Sequence, residues 1–324
     1  MSIDRLNKIE LRAISLKRLS STDAEFLASI SGQDLFELFS AANRIRAHFQ
    51  GNSVDICSIV NAKSGKCPED CSYCAQSSKN RSQITAYPLL DNKQVFCKAE
   101  EAKKGGAKRF CIVTSGRRVS GKDLLKIADM VSGIKKLGLL PCATLGLLTK
   151  DDLMLLKKAG LKRYHNNLET SERFFPNICT THTYDEKKDT IRSARQAGLS
   201  VCSGGIFGLG ETWEDRIEMA FALRDLSPDS VPINFFIPIP GTKLSSRKLL
   251  EPLDALKIIS LYRFILPDKQ IRVCGGRLQT LGELNSFIFL AGASGLLVGN
   301  YLTTLGRGYE EDARLIKNLG FSIG

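Results

Sequence analysis

The sequence predicts an α/β chain folded as a (β/α)8 barrel of the TIM type with an N-terminal helical extension, and three observations predict it. First, helix-like stretches end in Gly and short apolar runs begin within a few residues: Gly106 precedes AKRFCIVT, Gly138 precedes LLPCATLG, Gly160 precedes LKRYHNNL and Gly198 precedes LSVCSGGIFG. A Gly just past a helix is the expected C-terminal cap, and such apolar runs have strand length. Second, helix start signals recur, with Thr149 before KDDLMLLKKAG and Thr212 with Asp215 at capping-box spacing. Third, eight strand candidates fall within about 250 residues, the count and span of a closed barrel whose functional residues sit at the strand C-terminal ends.

Taken in order, residues 1–45 read as the helical extension and 46–302 as the barrel. Its strands fall near 54–61, 109–114, 139–145, 161–168, 199–206, 230–237, 270–275 and 294–299. Residues 303–324 read as a short tail. An open doubly wound sheet is the alternative for the same alternation. No Pro/Gly/Ser-rich linker or low-complexity tract marks an internal boundary.

With 324 residues, 43% hydrophobic and 25% charged, the composition is that of an ordinary globular protein able to bury a large core. No apolar run approaches the roughly 20 residues needed to span a bilayer. The segment MSIDRLNKIELRAISLKR is mixed in charge without an apolar core, so a cytoplasmic location is expected. In that setting ten cysteines point to metal or redox chemistry and away from a disulfide framework. The net charge of +12 is spread along helix-like segments such as KKGGAKR and GIKKLG. It reads as a solvated face or a docking face for an acidic electron donor, not as a nucleic-acid footprint.

After the first strand comes KSGKCPEDCSYCAQ, which spaces Cys67, Cys71 and Cys74 as C-x3-C-x2-C. Three thiolates in one short loop can hold three corners of an iron–sulfur cubane and leave the fourth iron open. A structural zinc site would ask for four closed ligands, and none follows at finger-like spacing. Cys111, Cys142 and Cys202 each fall in a different predicted strand, and Arg277 follows another in IRVCGGR. Residues on separate strands of a closed barrel converge on one interior volume, so this set suggests a second cluster. Cys97 and Cys179 read as structural or incidental, and His48, His165 and His182 are too scattered to form a metal site by spacing. GGIFGLGE lacks the dinucleotide spacing, and its glycines suit close approach of the backbone to an adenosyl group.

The triplet, with Tyr73 before its last cysteine, resembles the signature of the radical S-adenosylmethionine superfamily. The segments CPEDCSYCAQ, RFC, PCATLG, YHNNLET, CSGGIFGLGET, PINFFIPIPGT and GGR together resemble the biotin synthase family. That resemblance implies a [4Fe–4S] cluster on Cys67, Cys71 and Cys74, whose open iron takes S-adenosylmethionine. It implies an auxiliary [2Fe–2S] cluster on Cys111, Cys142, Cys202 and Arg277, and dethiobiotin as the acceptor of a sulfur atom. It puts Tyr73 and Ile206 near the adenine, Asn167 between S-adenosylmethionine and dethiobiotin, and Glu169 on the ribose hydroxyls. Asn234 would meet the ureido ring, and Thr303 and Thr304 the substrate tail. A homodimer and a flavodoxin- or ferredoxin-type donor are also implied.

Two departures from the family pattern stand out. His165 and Asn166 replace the more familiar Asn-His pair. Cys57 and Cys274 stand where the best-known members have serine. They are either small neutral fillers beside the cluster arginine or additional ligands of an auxiliary cluster of four-iron type, since a thiolate is the better iron ligand. The rival readings are another radical enzyme of the superfamily, such as a mutase or a hydrogenase-cofactor maturase, and a non-catalytic metal-binding module.

Overall fold

The computed structural model describes residues 3–303 and 306–324, so Thr304 lies outside the described residues. Three helices come first: α1 (Ile3–Ile14), α2 (Ser21–Ser29) and α3 (Asp34–Gln50). Strands and helices then alternate as β1 (Ser53–Lys63), α4 (Asn92–Lys104), β2 (Arg109–Thr114), α5 (Gly121–Lys136), β3 (Leu140–Thr144), α6 (Lys150–Ala159) and β4 (Arg163–His165). Next are α7 (Tyr184–Gln196), β5 (Ser200–Cys202), β6 (Gly205–Phe207), α8 (Trp213–Leu226), β7 (Ser230–Phe235), α9 (Pro252–Ile265), β8 (Gln270–Val273), α10 (Arg277–Leu281) and β9 (Gly295–Leu297). The chain ends with α11 (Tyr309–Asn318) and β10 (Ser322–Ile323).

All strand pairings are parallel, in the order β1-β2-β3-β4-β5-β7-β8-β9, and β9 returns to β1 through Asp55↔Gly295 to Cys57↔Leu297. The eight-stranded barrel is closed. β10 adds to the start of β1 by pairing Ser53 with Ser322. Local chemistry agrees with this order. Thr149 and Thr212 each cap a helix in a reciprocal box with Asp152 and Asp215, and Gly106, Gly138, Gly160 and Gly198 all take positive φ just past helices.

The fifth strand is expected over 199–206, but the structure breaks it into β5 and β6. β5 pairs with β7 only at Cys202↔Ser230, whereas β6 pairs with β7 further on, at Gly205↔Ile233. Between them Pro232 of β7 has no N–H to give, which interrupts the ladder. The backbone at Gly204 then presses so close that a Cβ there would sit 2.0 Å from the Pro232 carbonyl oxygen.

The N-terminal helices are part of the same core. Every residue of α9 from Ala255 to Ile265 is buried, because α3, α1 and α2 cover its outer side while the barrel covers the inner one. A helix apolar all round is stable only when enclosed in this way. Arg263, fully buried on α9, is satisfied by the carbonyls of Pro267, Lys269 and Gly292 and by Ser294 Oγ.

Gly204→Ala is expected to destabilise the fold by about 2–3 kcal/mol through the forced displacement of β7. A melting temperature lower by roughly 3–5 °C would register it.

Candidate active site

Alternate residues of a strand share one face, and in a closed barrel one of those faces is the interior. Asp55 and Cys57 on β1, Arg109 and Cys111 on β2, Arg163 and His165 on β4, and Gln270, Arg272 and Cys274 along β8 follow this rule. The result is two layers. The lower one holds Asp55, Arg109, Arg163, Gln270 and Arg272. Asp55 Oδ1 meets Arg272 Nη2 at 2.5 Å, and its Oδ2 meets Arg109 Nε at 3.0 Å. Gln270 Oε1 accepts from Arg163 and Arg272, each at 3.0 Å. Three guanidinium groups thus face one carboxylate. Burial works against a charged Asp55, but Arg272 and Arg109 outweigh it and hold the carboxyl well below the usual range. Burial likewise opposes the charge on Arg272, yet Asp55 leads the groups that keep it protonated.

The upper layer is sulfur. Cys57, Cys111, Cys142 and Cys274 pack in one buried cluster with Val113 and Leu297, and Cys202 is fully buried beside it. Burial pushes the thiols up, Cys142 to about 11 and Cys274 to about 12, against the pull of the arginines below. His165, with a buried Nε2 that has no partner, is driven toward the neutral form by burial and by Arg163, Arg272 and Arg109. An excess of buried positive charge under five thiols suits an anionic iron–sulfur cluster, whose thiolates and sulfides would offset it.

Arg277 is not where the sequence puts it. It begins α10, beyond the end of β8, and is absent from the cavity wall. Its guanidinium is spent on the buried Asp312 carboxylate and on Asn285 Oδ1, the latter at 2.9 Å. The arginine beside the thiols is Arg272. The signal was legible: Arg272 lies two residues before Cys274, so strand alternation gives them one face, whereas Arg277 lies past the strand.

Above the thiols the cavity, about 450 Å³, opens at the C-terminal ends of the strands. Cys67, Cys71 and Cys74 stand on its rim in a loop held by its own backbone: Cys67 N donates to Gln76 O at 3.0 Å and Ser78 N to Cys67 O at 2.8 Å. Asn80 Nδ2 donates to the carbonyls of Cys71 and Cys74 at 3.1 and 2.8 Å. Three thiols converge with no fourth from the same loop, so the residues present fit a cubane with one open iron.

Tyr73, Asn167, Glu169, Ile206, Asn234 and Thr303 line the same cavity. Tyr73 and Ile206 pack together on an apolar patch with Ile178, Leu209 and Phe236, a surface suited to a flat aromatic base. Glu169 takes a left-handed backbone (φ 75°), fixed by its N–H on Gly204 O and by Ile206 N on its own carbonyl. Such strain persists only where the surroundings impose it. Its Oε2 is buried without a partner, and burial raises the carboxyl's pKa. Vicinal hydroxyls would supply the missing donors. Asn167 Oδ1 accepts from Gly204 N at 3.3 Å. Asn234 bridges Gly205 O and Gly275 N, which leaves one hydrogen and one lone pair for a ligand.

Lys187 was not singled out from the sequence. It sits on the buried stripe of α7 with Tyr184, Thr190, Ile191 and Ala194, and a lysine on such a stripe was the available signal. Its Nζ donates to Asn167 O at 3.0 Å and lies close enough to act electrostatically on both Glu169 and Cys71.

Comparison with known proteins follows this geometry. The Radical SAM superfamily profile matches residues 62–223, and that of the Biotin and Thiamin Synthesis associated domain matches residues 232–322. The biotin synthase of Thermodesulfovibrio yellowstonii is 51% identical over 93% of this chain and 95% of its own. That of Geobacter metallireducens is 48% identical over 97% and 96%. The chain belongs to the biotin synthase family. Among solved structures, methylornithine synthase superposes with a TM-score of 0.86 at 22% identity, covering 98% of this chain and 97% of that one. The FeFe-hydrogenase maturase of Carboxydothermus hydrogenoformans superposes with a TM-score of 0.82 at 18% identity, covering 98% and 79%. At those identities the likeness is one of fold, and it agrees with the barrel. No helix among the described residues is long and apolar enough to cross a membrane.

Asp55→Asn would leave the buried guanidiniums without their counter-charge and is expected to cost about 3–5 kcal/mol, read from chemical denaturation. Because the folded pKa of Asp55 is depressed, its contribution is complete above the ordinary value near 3.8 and is lost as pH falls through the folded value. The variant should therefore lack that part of the wild type's loss of stability in acid.

Proposed function

We propose that the chain is a sulfurtransferase that converts dethiobiotin to biotin by radical chemistry. The observation that carries this reading is one cavity bounded at its mouth by Cys67, Cys71 and Cys74 and at its floor by Cys57, Cys111, Cys202 and Cys274, with Cys142 packed against them. When bound, a [4Fe–4S] cluster with S-adenosylmethionine supplies a 5′-deoxyadenosyl radical, and an auxiliary iron–sulfur cluster supplies the sulfur.

The chain's residues bind, orient and exclude water. Tyr73 and Ile206 offer the base a flat apolar bed, and Glu169 offers the ribose a carboxylate. Lys187 is the cation for the carboxylate of S-adenosylmethionine, since it lines the cavity and acts electrostatically on both Cys71 and Glu169. Asn167 and Asn234 would orient the ureido group, and Thr303, with Thr304 following it, the substrate tail. Unactivated C–H bonds cannot be deprotonated by a side chain, so no acid–base pair is required. What is required is a dry cavity that holds reacting atoms about 3–3.5 Å apart.

For the auxiliary cluster the reading favours thiol ligation by Cys111, Cys142 and Cys202, completed to four by one of Cys274 and Cys57. Arg272 is kept protonated by Asp55, and a protonated guanidinium has no lone pair for iron. Its part is that of a counter-cation under the cluster. A fourth thiol makes an all-thiolate cluster available, and the reading takes it to be of four-iron type. An acidic donor such as flavodoxin or ferredoxin, a homodimer and a cytoplasmic location complete the proposal, supported by the net charge of +12 and by family membership.

Anaerobic incubation of the reconstituted protein with dethiobiotin, S-adenosylmethionine and a reductant is expected to yield biotin. Intact cleavage of S-adenosylmethionine with no biotin formed would point instead to another radical enzyme. Iron should reach about eight per chain if both clusters hold four irons; about six would return the auxiliary site to [2Fe–2S], and Cys274→Ser should change its spectrum. Lys187→Met should raise the KM for S-adenosylmethionine about 10- to 100-fold, the worth of a hydrogen bond between charged groups, with cluster content unchanged.

A further inference from the structure

The connection between β4 and α7 carries a side-chain cluster for which the proposed reaction has no use. Cys179 and His182 follow the short turn at Phe175–Asn177 and reach back to the cysteine loop. The donor atoms of Cys71, Cys179 and His182 all lie within 4.8 Å of one another, and Cys179 Sγ is 3.2 Å from His182 Nδ1. Around one tetrahedral ion with metal–sulfur bonds of about 2.3 Å and metal–nitrogen bonds of about 2.0–2.1 Å, donors sit roughly 3.5–3.8 Å apart. The trio is already close to that spacing. Cys67, Cys71 and Cys74 do not come that close as a set, as thiols meant for separate irons should not.

The trio is also held in place. Cys179 is buried, its Sγ lying 3.2 Å from Asp70 Oδ1 and 3.4 Å from Thr181 Oγ1. Asp70 is fixed by Thr180, whose N–H donates to it at 2.9 Å. Glu69 Oε2 meets His182 Nδ1 and accepts from Thr181 Oγ1 at 2.8 Å. Two thiols and an imidazole form a borderline-soft set with a fourth position open, and Glu69 is at hand to fill it with oxygen.

We propose that Cys71, Cys179 and His182 form a mononuclear site for a borderline divalent cation, occupied only while the cubane is absent. Ferrous iron held there would be the first iron at the place where the cluster is built. Zinc binds such donors more tightly than ferrous iron, so it would block that place. The site stands on donor geometry alone; only its exclusion by the cluster rests on assigning Cys71 to the cubane.

The test is anaerobic titration of the full-length, cluster-free chain with Co²⁺, read by its thiolate charge-transfer and tetrahedral ligand-field bands. The Cys71→Ala/Cys179→Ala double variant serves as background for the barrel thiols. One equivalent is expected, bleached by one equivalent of Zn²⁺. Cys71→Ala and Cys179→Ala should each abolish the bands, His182→Asn should weaken binding at least tenfold, and Cys67→Ala, Cys74→Ala and Cys97→Ala should leave them unchanged. One equivalent of Zn²⁺ should also slow cubane assembly in the wild type and not in His182→Asn. Bands that survive Cys179→Ala, or that depend on Cys67 and Cys74 as much as on Cys71, would overturn the proposal. If Cys179→Ala does not fold, judged by far-ultraviolet circular dichroism, unchanged cobalt affinity in His182→Asn overturns it equally. Biotin formation and the cobalt bands are measured separately, so either can fail without the other.

Discussion

An imbalance of buried charge at the floor of the barrel governs the rest of the site. Arg109, Arg163 and Arg272 share an enclosed layer with one carboxylate, Asp55. Unpaired charge in such a place costs several kcal/mol unless something offsets it. The side chains immediately above are thiols that become anions on binding metal. The layer therefore explains why thiols stand directly above it and why the core has so polar a base. It also separates two arginines: Arg272 belongs to this layer, and Arg277 pairs with Asp312 outside it.

How much was legible depended on how local the signal was. Strand and helix positions were readable because caps, glycines and apolar runs act over a few residues, and the Cys67–Cys74 loop was readable because its spacing is its chemistry. The break between β5 and β6 was not, since it depends on a proline that is adjacent in space, on β7, but far away in sequence. Lys187 and His182 were missed for the same reason. Each acts on a loop that the chain reaches only through the fold. Cys179 looked incidental because nothing near it in sequence shows that Cys71 lies beside it.

The rim and the wall of the cavity are fastened to each other by polar groups as well as by the apolar packing of Tyr73. Glu69 and Asp70, the two residues between Cys67 and Cys71 that carry charge, bind Thr180, Thr181 and His182, while Arg117 pairs with both Glu69 and Glu186. Ser72 N donates to Ile178 O at 2.9 Å and continues the seam in the backbone. A hydrogen-bonded seam of this kind is directional. It fixes the orientation of the cysteine loop over Glu169 and Lys187 more tightly than an apolar contact of equal area would.

β1 pairs with β10 at its start, with β9 from Asp55 to Cys57 and with β2 from Cys57 to Lys63, before turning directly into the cysteine loop. From Cys57 to Lys63 the strand rises about 20 Å. It is therefore a ruler that sets the distance between floor and rim, clamped along its length by three neighbours. A slip of one residue would turn Asp55 and Cys57 outward together. Floor and rim are in this sense one mechanical part, and an inserted or deleted residue in β1 would displace the barrel thiols and the cysteine loop at once.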